Sequence, residues 1–314
     1  MSSQSTDRTE RVSFNGRSVL LATDGSPSAK SATCFADTMA ADLHARVHVV
    51  VVLDIRRAPM PAPLDKAMQL AGEAVGPGVH AEQEDAVRRG LSATLGHDVD
   101  WNIRMAVGAP AEAITREARR VDAALIVMGL RHHGRTARVL NDETTLNVIR
   151  TAPCPVLGVA PGTERLPTRV LAAMDFSVAS FSAAAVARAL MPSGGMLTLA
   201  YVPPLLSYPA EDGEGMIHSL GVQAGFDRAR KNLDGGVKVE QEIMHHESRA
   251  PVADLLLECA DSTSASLIAA GTARPSRVDR WLLGSVSTDL IRDGRCSVLV
   301  VPPDGTRRDA GHRE

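Results

Sequence analysis

The chain repeats itself once. "RSVLLATDGSPSAKSA" from Arg17 is answered by "TRVLAAMDFSVASFSA" from Thr168, each a short apolar run, an Asp (Asp24, Asp175) and a Ser-rich stretch entering an Ala-rich helical pattern. "AALIVMGL" at 123–130 is answered by "ASLIAAGT" at 265–272, and "RTAPCPVLGVAP" at 150–161 by "RDGRCSVLVVPP" at 292–303. Gly129 and Gly271, Cys154 and Cys296, Pro161 and Pro303 are each separated by 142 residues, a register that chance similarity does not hold. At 314 residues the chain is also long for one compact core. It therefore divides into a polar tail over 1–17, expected to be disordered, a unit over 18–161, a linker over 162–167, a unit over 168–303 and a polar tail over 304–314. The Pro and Gly residues of "APGTERLPTR" mark the boundary between the units.

Within each unit the apolar residues run continuously rather than alternating. "VHVVVVL" (47–53), "AALIVM" and "PVLGV" have the composition of strands buried on both faces, as in a parallel sheet. Between them lie helical patterns such as "PAEAITREARRV" (110–121) and its mate "PVADLLLECA" (251–260), both opening on Pro, which suits a first helical turn. Alternating strands and helices over such a length predict an α/β protein in which each unit is a five-stranded parallel sheet flanked by helices. In these sheets ligands bind outside the carboxyl ends of the strands at the topological switch point. Asp24, Asp175, Gly129 and Gly271 fall there.

Composition removes several function classes. With 44% apolar and 23% charged residues the chain is neither a disordered nor a membrane protein in type. Aromatics at 3% supply few platforms for stacking bases, and a net charge of −3 gives no attraction to a phosphate backbone, so nucleic acid is not an expected partner. Cys34, Cys154, Cys259 and Cys296 lack Cys-x-x-Cys spacing and read as reduced core thiols. The polar opening "MSSQSTDRTERVSFNGR" and the absence of a long apolar run point to a cytoplasmic protein without a membrane span. His132-His133 and His245-His246 are adjacent pairs without ligand spacing, so no specific metal site is expected. Nucleophile elbow, Walker lysine and declared Cys-His motifs are all absent, which predicts no catalytic machinery.

The chemistry concentrates in "GTARPSRVDRWLLGS" (271–285). A glycine ends an apolar run, and Gly284-Ser285 precede the helical "VSTDLIR". A helix start offers unpaired N–H groups and a dipole that favours anions, with Ser285 either adding a hydroxyl donor or acting as the N-cap. The arrangement Gly271, two residues, Arg274, nine residues, Gly284-Ser285 resembles the Gly-x-x-Gly, nine residues, Gly-Ser/Thr loop of the universal stress protein family. The Asp ending each first strand and the closing strands "PVLGV" and "SVLVV" fit it too. The resemblance covers 18–161 and 168–303 as a tandem pair. It implies Rossmann-like domains with ATP, with or without Mg²⁺, across the strand ends. The base and ribose would sit by Asp175, Phe176 and Val202, and the phosphates by Gly271, Arg274, Gly284, Ser285 and Val286.

Both halves depart from that pattern. Arg274 stands in the place of the second glycine, as a solvated loop residue or a charged phosphate contact. In the first half His132 takes that place and Asp142-Glu143, or Asn141-Asp142 one register away, replace Gly-Ser. A carboxylate about 4 Å from a phosphate costs about 4 kcal/mol at an effective dielectric of 20, which exceeds the 0.3–2 kcal/mol or so of a helix terminus. Asp24, Gly25, Gly129 and Arg131 are therefore the weaker candidates. Asp24 and Asp175 are equally suited to capping the next helix. The resemblance implies a stress-adaptation protein that binds ATP mainly in its second half and packs as an internal pseudo-dimer through its fifth strands. A homodimer and a regulatory protein partner are further expectations. A partner-recognition module with both sites degenerate, and a slow ATP hydrolase, are the competing readings.

Overall fold

The computed structural model of the chain describes residues 12–24, 29–53, 77–130, 142–204, 213–233, 235–244, 250–272 and 284–302. The first half runs β1 (Ser18–Thr23), α1 (Lys30–Leu43), β2 (Arg46–Leu53), α2 (Pro77–Leu95), β3 (Asn102–Val107), α3 (Pro110–Arg120), β4 (Leu125–Gly129), α4 (Asp142–Thr151) and β5 (Val156–Val159). The second runs β6 (Arg169–Met174), α5 (Val178–Ala189), β7 (Met196–Tyr201), α6 (Gly213–Leu233), β8 (Lys238–Ile243), α7 (Val252–Ser262), β9 (Leu267–Gly271), α8 (Ser285–Asp293) and β10 (Ser297–Val301).

The strands form one ten-stranded sheet in the order β3-β2-β1-β4-β5-β10-β9-β6-β7-β8. Every neighbouring pair is parallel except β5 and β10, which pair antiparallel. The continuous apolar runs are explained by helices on both faces. Val19 and Leu21 enter a core covered by α1, α2, α5 and α6, whereas Leu20 and Ala22 enter one covered by α3, α4, α7 and α8. Helix starts follow from local chemistry. Ala109 caps α3, Pro110 occupies its first turn with Glu112, and Arg119 and Arg120 sit in its last turn, matching the helix dipole at both ends. Pro251, by contrast, is the N-cap of α7 rather than part of its first turn.

The β5–β10 register carries the repeat into three dimensions. Leu157 faces Leu299, with Val156 facing Val300 and Gly158 facing Val298. Leu157 and Leu299 are also 142 positions apart, so equivalent residues meet across a local two-fold axis. All four β5 residues and all five β10 residues are buried. The apolar fifth strands thus abut within one chain, as expected of edges that cannot face water.

The connection between halves is held rather than loose. Gly162 turns at φ +84°, its amide donates to Ser31 Oγ at 2.9 Å, and Thr38 Oγ1 donates to the Glu164 carbonyl at 3.1 Å. At the other end Phe14, inside the stretch expected to be a disordered tail, is buried against the first half. The four cysteines are free. Burial pushes the Cys296 thiol up to about 11, which disfavours its thiolate form at neutral pH.

Leu157→Ala and Leu299→Ala are each expected to cost about 2–5 kcal/mol. The double variant should cost less than the sum, because each change removes the other's partner. Urea unfolding followed by circular dichroism measures this, and strict additivity would show that the two side chains do not meet.

Candidate functional site

Strand order reverses between β6 and β9, because the chain leaves β6 toward β7 on one side and returns to β9 on the other. A cavity of about 540 Å³ opens there at the carboxyl ends of the strands, within the usual range for ligand pockets. Of the residues named from the sequence, Asp175, Val202, Gly271, Gly284 and Val286 line it. Ser285 opens α8 beside it and is exposed. Arg274, Gly25, Arg131 and both His-His pairs lie outside the described residues.

Two expectations about caps change. Gly284, extended at φ −64° and ψ 160°, is the N-cap of α8, and Ser285 is its first helical residue. With no side-chain cap and no acid in that turn, the N–H groups at the start of α8, where Gly284, Val286 and Ser287 line the cavity, have no side-chain partner among the described residues. Neighbouring helices differ. The α5 N-terminus is capped by Ser177, whose hydroxyl accepts from the Ser180 amide at 3.2 Å, and α7 carries Asp254 in its first turn. Asp175 is accordingly not the α5 cap, and α1 is capped at Ala29, not at Asp24.

Asp175 instead accepts the Ser177 amide at 2.9 Å. Partial burial works to raise its pKa, but hydrogen bonds from the Ser177 hydroxyl and amide and from Ser180 outweigh this. The carboxyl sits below the usual carboxylate range and is ionised at neutral pH. It is the one charged side chain among the described residues lining the cavity. Tyr201, at the end of β7, forms an adjoining wall, and burial followed by the nearby Asp175 charge pushes its phenol up.

Two residues that the sequence reading passed over come forward. Thr272 is 4% exposed, lines the cavity, and its hydroxyl has no hydrogen-bond partner among the described residues. An unpaired buried hydroxyl is costly, and a ligand would satisfy it. Its first-half equivalent is Leu130, since the Thr272 amide donates to Val301 as the Leu130 amide donates to Val159. There the space is filled, because a Cβ added to Gly158 would lie 2.7 Å from Leu130 Cδ2. Tyr201 is the second. The signal for both was position, at or just past a strand end beside the switch point, rather than residue type.

Phe176 turns away from the cavity. It has φ +60°, a conformation that costs a non-glycine residue on the order of 1–2 kcal/mol. Its ring packs on Tyr201 with centroids 5.1 Å apart and edge-on to Phe226 at 5.2 Å. Gly271 also has a structural reason for being glycine, since an added Cβ would lie 2.5 Å from the Ala179 backbone carbon. Gly284 has none of that kind. Its φ is ordinary and a Cβ there meets nothing within 4 Å among the described residues, so the bare backbone leaves room for a ligand. In the first half Asp24 and Gly129 occupy the matching strand ends, and α4 opens on Asp142 and Glu143.

These differences separate two kinds of glycine. Gly271→Ala should lower stability by about 1–3 kcal/mol through overpacking, whereas Gly284→Ala should cost only a few tenths to about 1 kcal/mol as a poorer cap; thermal melts of both variants read the contrast. For Asp175, a depressed folded pKa gives stability that is present above the unfolded value of about 3.9 and lost as pH falls through the folded one. The melting-temperature gap between wild type and Asp175→Asn should hold steady from about pH 8 to about pH 5 and close below about pH 4. A gap independent of pH would remove charge as its cause.

The universal stress protein family matches the chain twice, over residues 16–160 and 167–302. A universal stress protein of Methanocaldococcus jannaschii is 32% identical over 104 residues, a stretch that is 32% of this chain and 59% of that protein. Among solved structures, a universal stress protein from Archaeoglobus fulgidus superposes with TM-score 0.65 at 20% identity, covering 92% of this chain and 100% of that one. One from Pseudomonas aeruginosa UCBPP-PA14 does so with TM-score 0.56 at 16% identity, covering 92% and 94%. At these identities the superpositions speak for the fold alone. With nearly its whole length matched in two consecutive copies, the chain belongs to the universal stress protein family.

Proposed function

We propose that the second half binds one adenine nucleotide, ATP, in the cleft between β6 and β9, and that the chain serves stress adaptation as a nucleotide-linked sensor rather than a catalyst. The observation that carries this reading is the Thr272 hydroxyl, without a hydrogen-bond partner among the described residues, inside a cavity that the start of α8 also lines. The cavity chemistry fits a nucleotide's two ends. Val202, Val252 and Leu256 offer apolar surface to a base, and the ionised Asp175 accepts hydrogen bonds from ribose hydroxyls or an exocyclic amine. The amides at the start of α8, with the hydroxyls of Ser285 and Thr272, suit phosphate oxygens. Among the described residues no cluster of three ligands is placed to hold a metal ion.

The first half supports no equal site. Leu130 occupies the place of Thr272, and Asp142 and Glu143 put carboxylates where the second half has Gly284 and Ser285. Calorimetric titration with ATP should give a stoichiometry near one per chain, and nucleotide released on denaturing the purified protein should be identifiable by mass. Two equivalent sites would overturn the asymmetry. Thr272→Val removes the hydroxyl at constant shape. It should weaken ATP binding by about 1 kcal/mol while leaving the melting temperature equal or higher, because an unpaired buried polar group is gone. Unchanged affinity would mean that this hydroxyl does not meet the ligand.

A further inference from the structure

We infer that Phe176 is a positioning residue that couples helix α6 to the cleft, a reading that rests on the nucleotide site proposed above. The backbone conformation at φ +60° suits glycine, and the first half has Gly25 at the corresponding place in its Asp-Gly-Ser stretch. The second half holds a phenylalanine there against that preference. Such a conformation persists only where the surroundings over-determine it, and here they do so from two sides.

On one side the ring backs onto Tyr201, tilted by 39° at 5.1 Å between centroids, and Tyr201 lines the cavity with the adjacent Asp175. On the other side stands α6. Phe226 is fully buried and meets the Phe176 ring at 90°, and a Cβ added at Gly225 would lie 2.4 Å from Phe176 Cδ1. Gly225 and Phe226 do not line the cavity. The single aromatic ring therefore spans from a helix outside the site to two of its walls, and a shift of α6 against that ring moves Tyr201 and Asp175 together.

A ring that only fills space and a ring that transmits position differ in a double-mutant cycle. Gly225→Ala drives a methyl group into the Phe176 ring without touching the cavity. It should weaken ATP binding about tenfold, and it should have no effect in a Phe176→Gly background, where the obstructed ring is gone. Phe176→Gly alone relaxes the backbone and should weaken ATP about tenfold, with Phe176→Tyr restoring it. Equal ATP affinity in wild type and Gly225→Ala overturns the coupling even if Phe176→Gly does not fold.

A readout without nucleotide keeps the two proposals apart. In a Tyr208→Phe background, alkaline difference spectroscopy follows Tyr201 alone, whose pKa burial and Asp175 raise in the wild type. Phe176→Gly or Gly225→Ala should bring it toward the ordinary tyrosine value of about 10. If that shift occurs and the wild type takes up no ATP, the nucleotide reading fails while the coupling stands. A Tyr201 titration that does not move in either variant overturns the coupling itself.

Discussion

The antiparallel pairing of β5 with β10 is the constraint on which the rest of the molecule depends. Neither half can leave its fifth strand bare, because four consecutive buried apolar residues would present both unpaired backbone groups and oily side chains to water. Joining them satisfies both edges at once and leaves β3 and β8 as the outer strands. Those carry charge, with Arg104 of β3 paired to Glu117 at 3.3 Å and Lys238 of β8 paired to Glu240. The join is tied down further where Ser297 Oγ accepts the Ala160 amide at 3.0 Å.

The same pairing decides how the two clefts relate. All strands of a half run parallel to its fifth strand, and the two fifth strands run in opposite directions. The carboxyl ends of β1 and β4 therefore lie along one edge of the ten-stranded sheet and those of β6 and β9 along the opposite edge. No single small ligand reaches both. Each half can then lose or keep its cleft independently while the shared strand pair holds the fold. The observed divergence has that form: Leu130 over Gly158 in one half and Thr272 beside Val300 in the other exchange bulk between two neighbouring strands without disturbing their hydrogen bonds.

Much of this architecture was legible in the sequence because it rests on patterns that are local and repeated. Continuous apolar runs gave away strands buried on both faces, and the constant spacing of Gly129 with Gly271 and Cys154 with Cys296 aligned the halves before any contact was known. The fusion into one continuous sheet followed from edge strands too apolar to be edges. Pairwise facts were not legible. Gly271 looks like a phosphate-loop glycine, yet its bareness is required by the backbone of Ala179, which is distant in sequence. Thr272 is an ordinary polar residue until the described residues around it are seen to leave its hydroxyl unpaired. Phe176, beside the site in sequence, faces the other way because its backbone enters the left-handed region.

The electrostatics of the second cleft follow from what lines it. Asp175 is held ionised by three hydrogen-bonding groups from Ser177 and Ser180, so a negative charge is fixed in the cavity wall. The start of α8, equivalent to a partial positive charge, also borders the cavity. A ligand suited to both is itself polarised, with hydrogen-bond donors and an anionic group, and carries apolar surface that matches Val202, Val252 and Leu256. A nucleotide has that distribution. In the first half the corresponding helix begins with Asp142 and Glu143, two acidic residues in a turn where the dipole favours negative charge. The two halves of one fold thus differ in charge at the start of one helix, according to the two residues that open it.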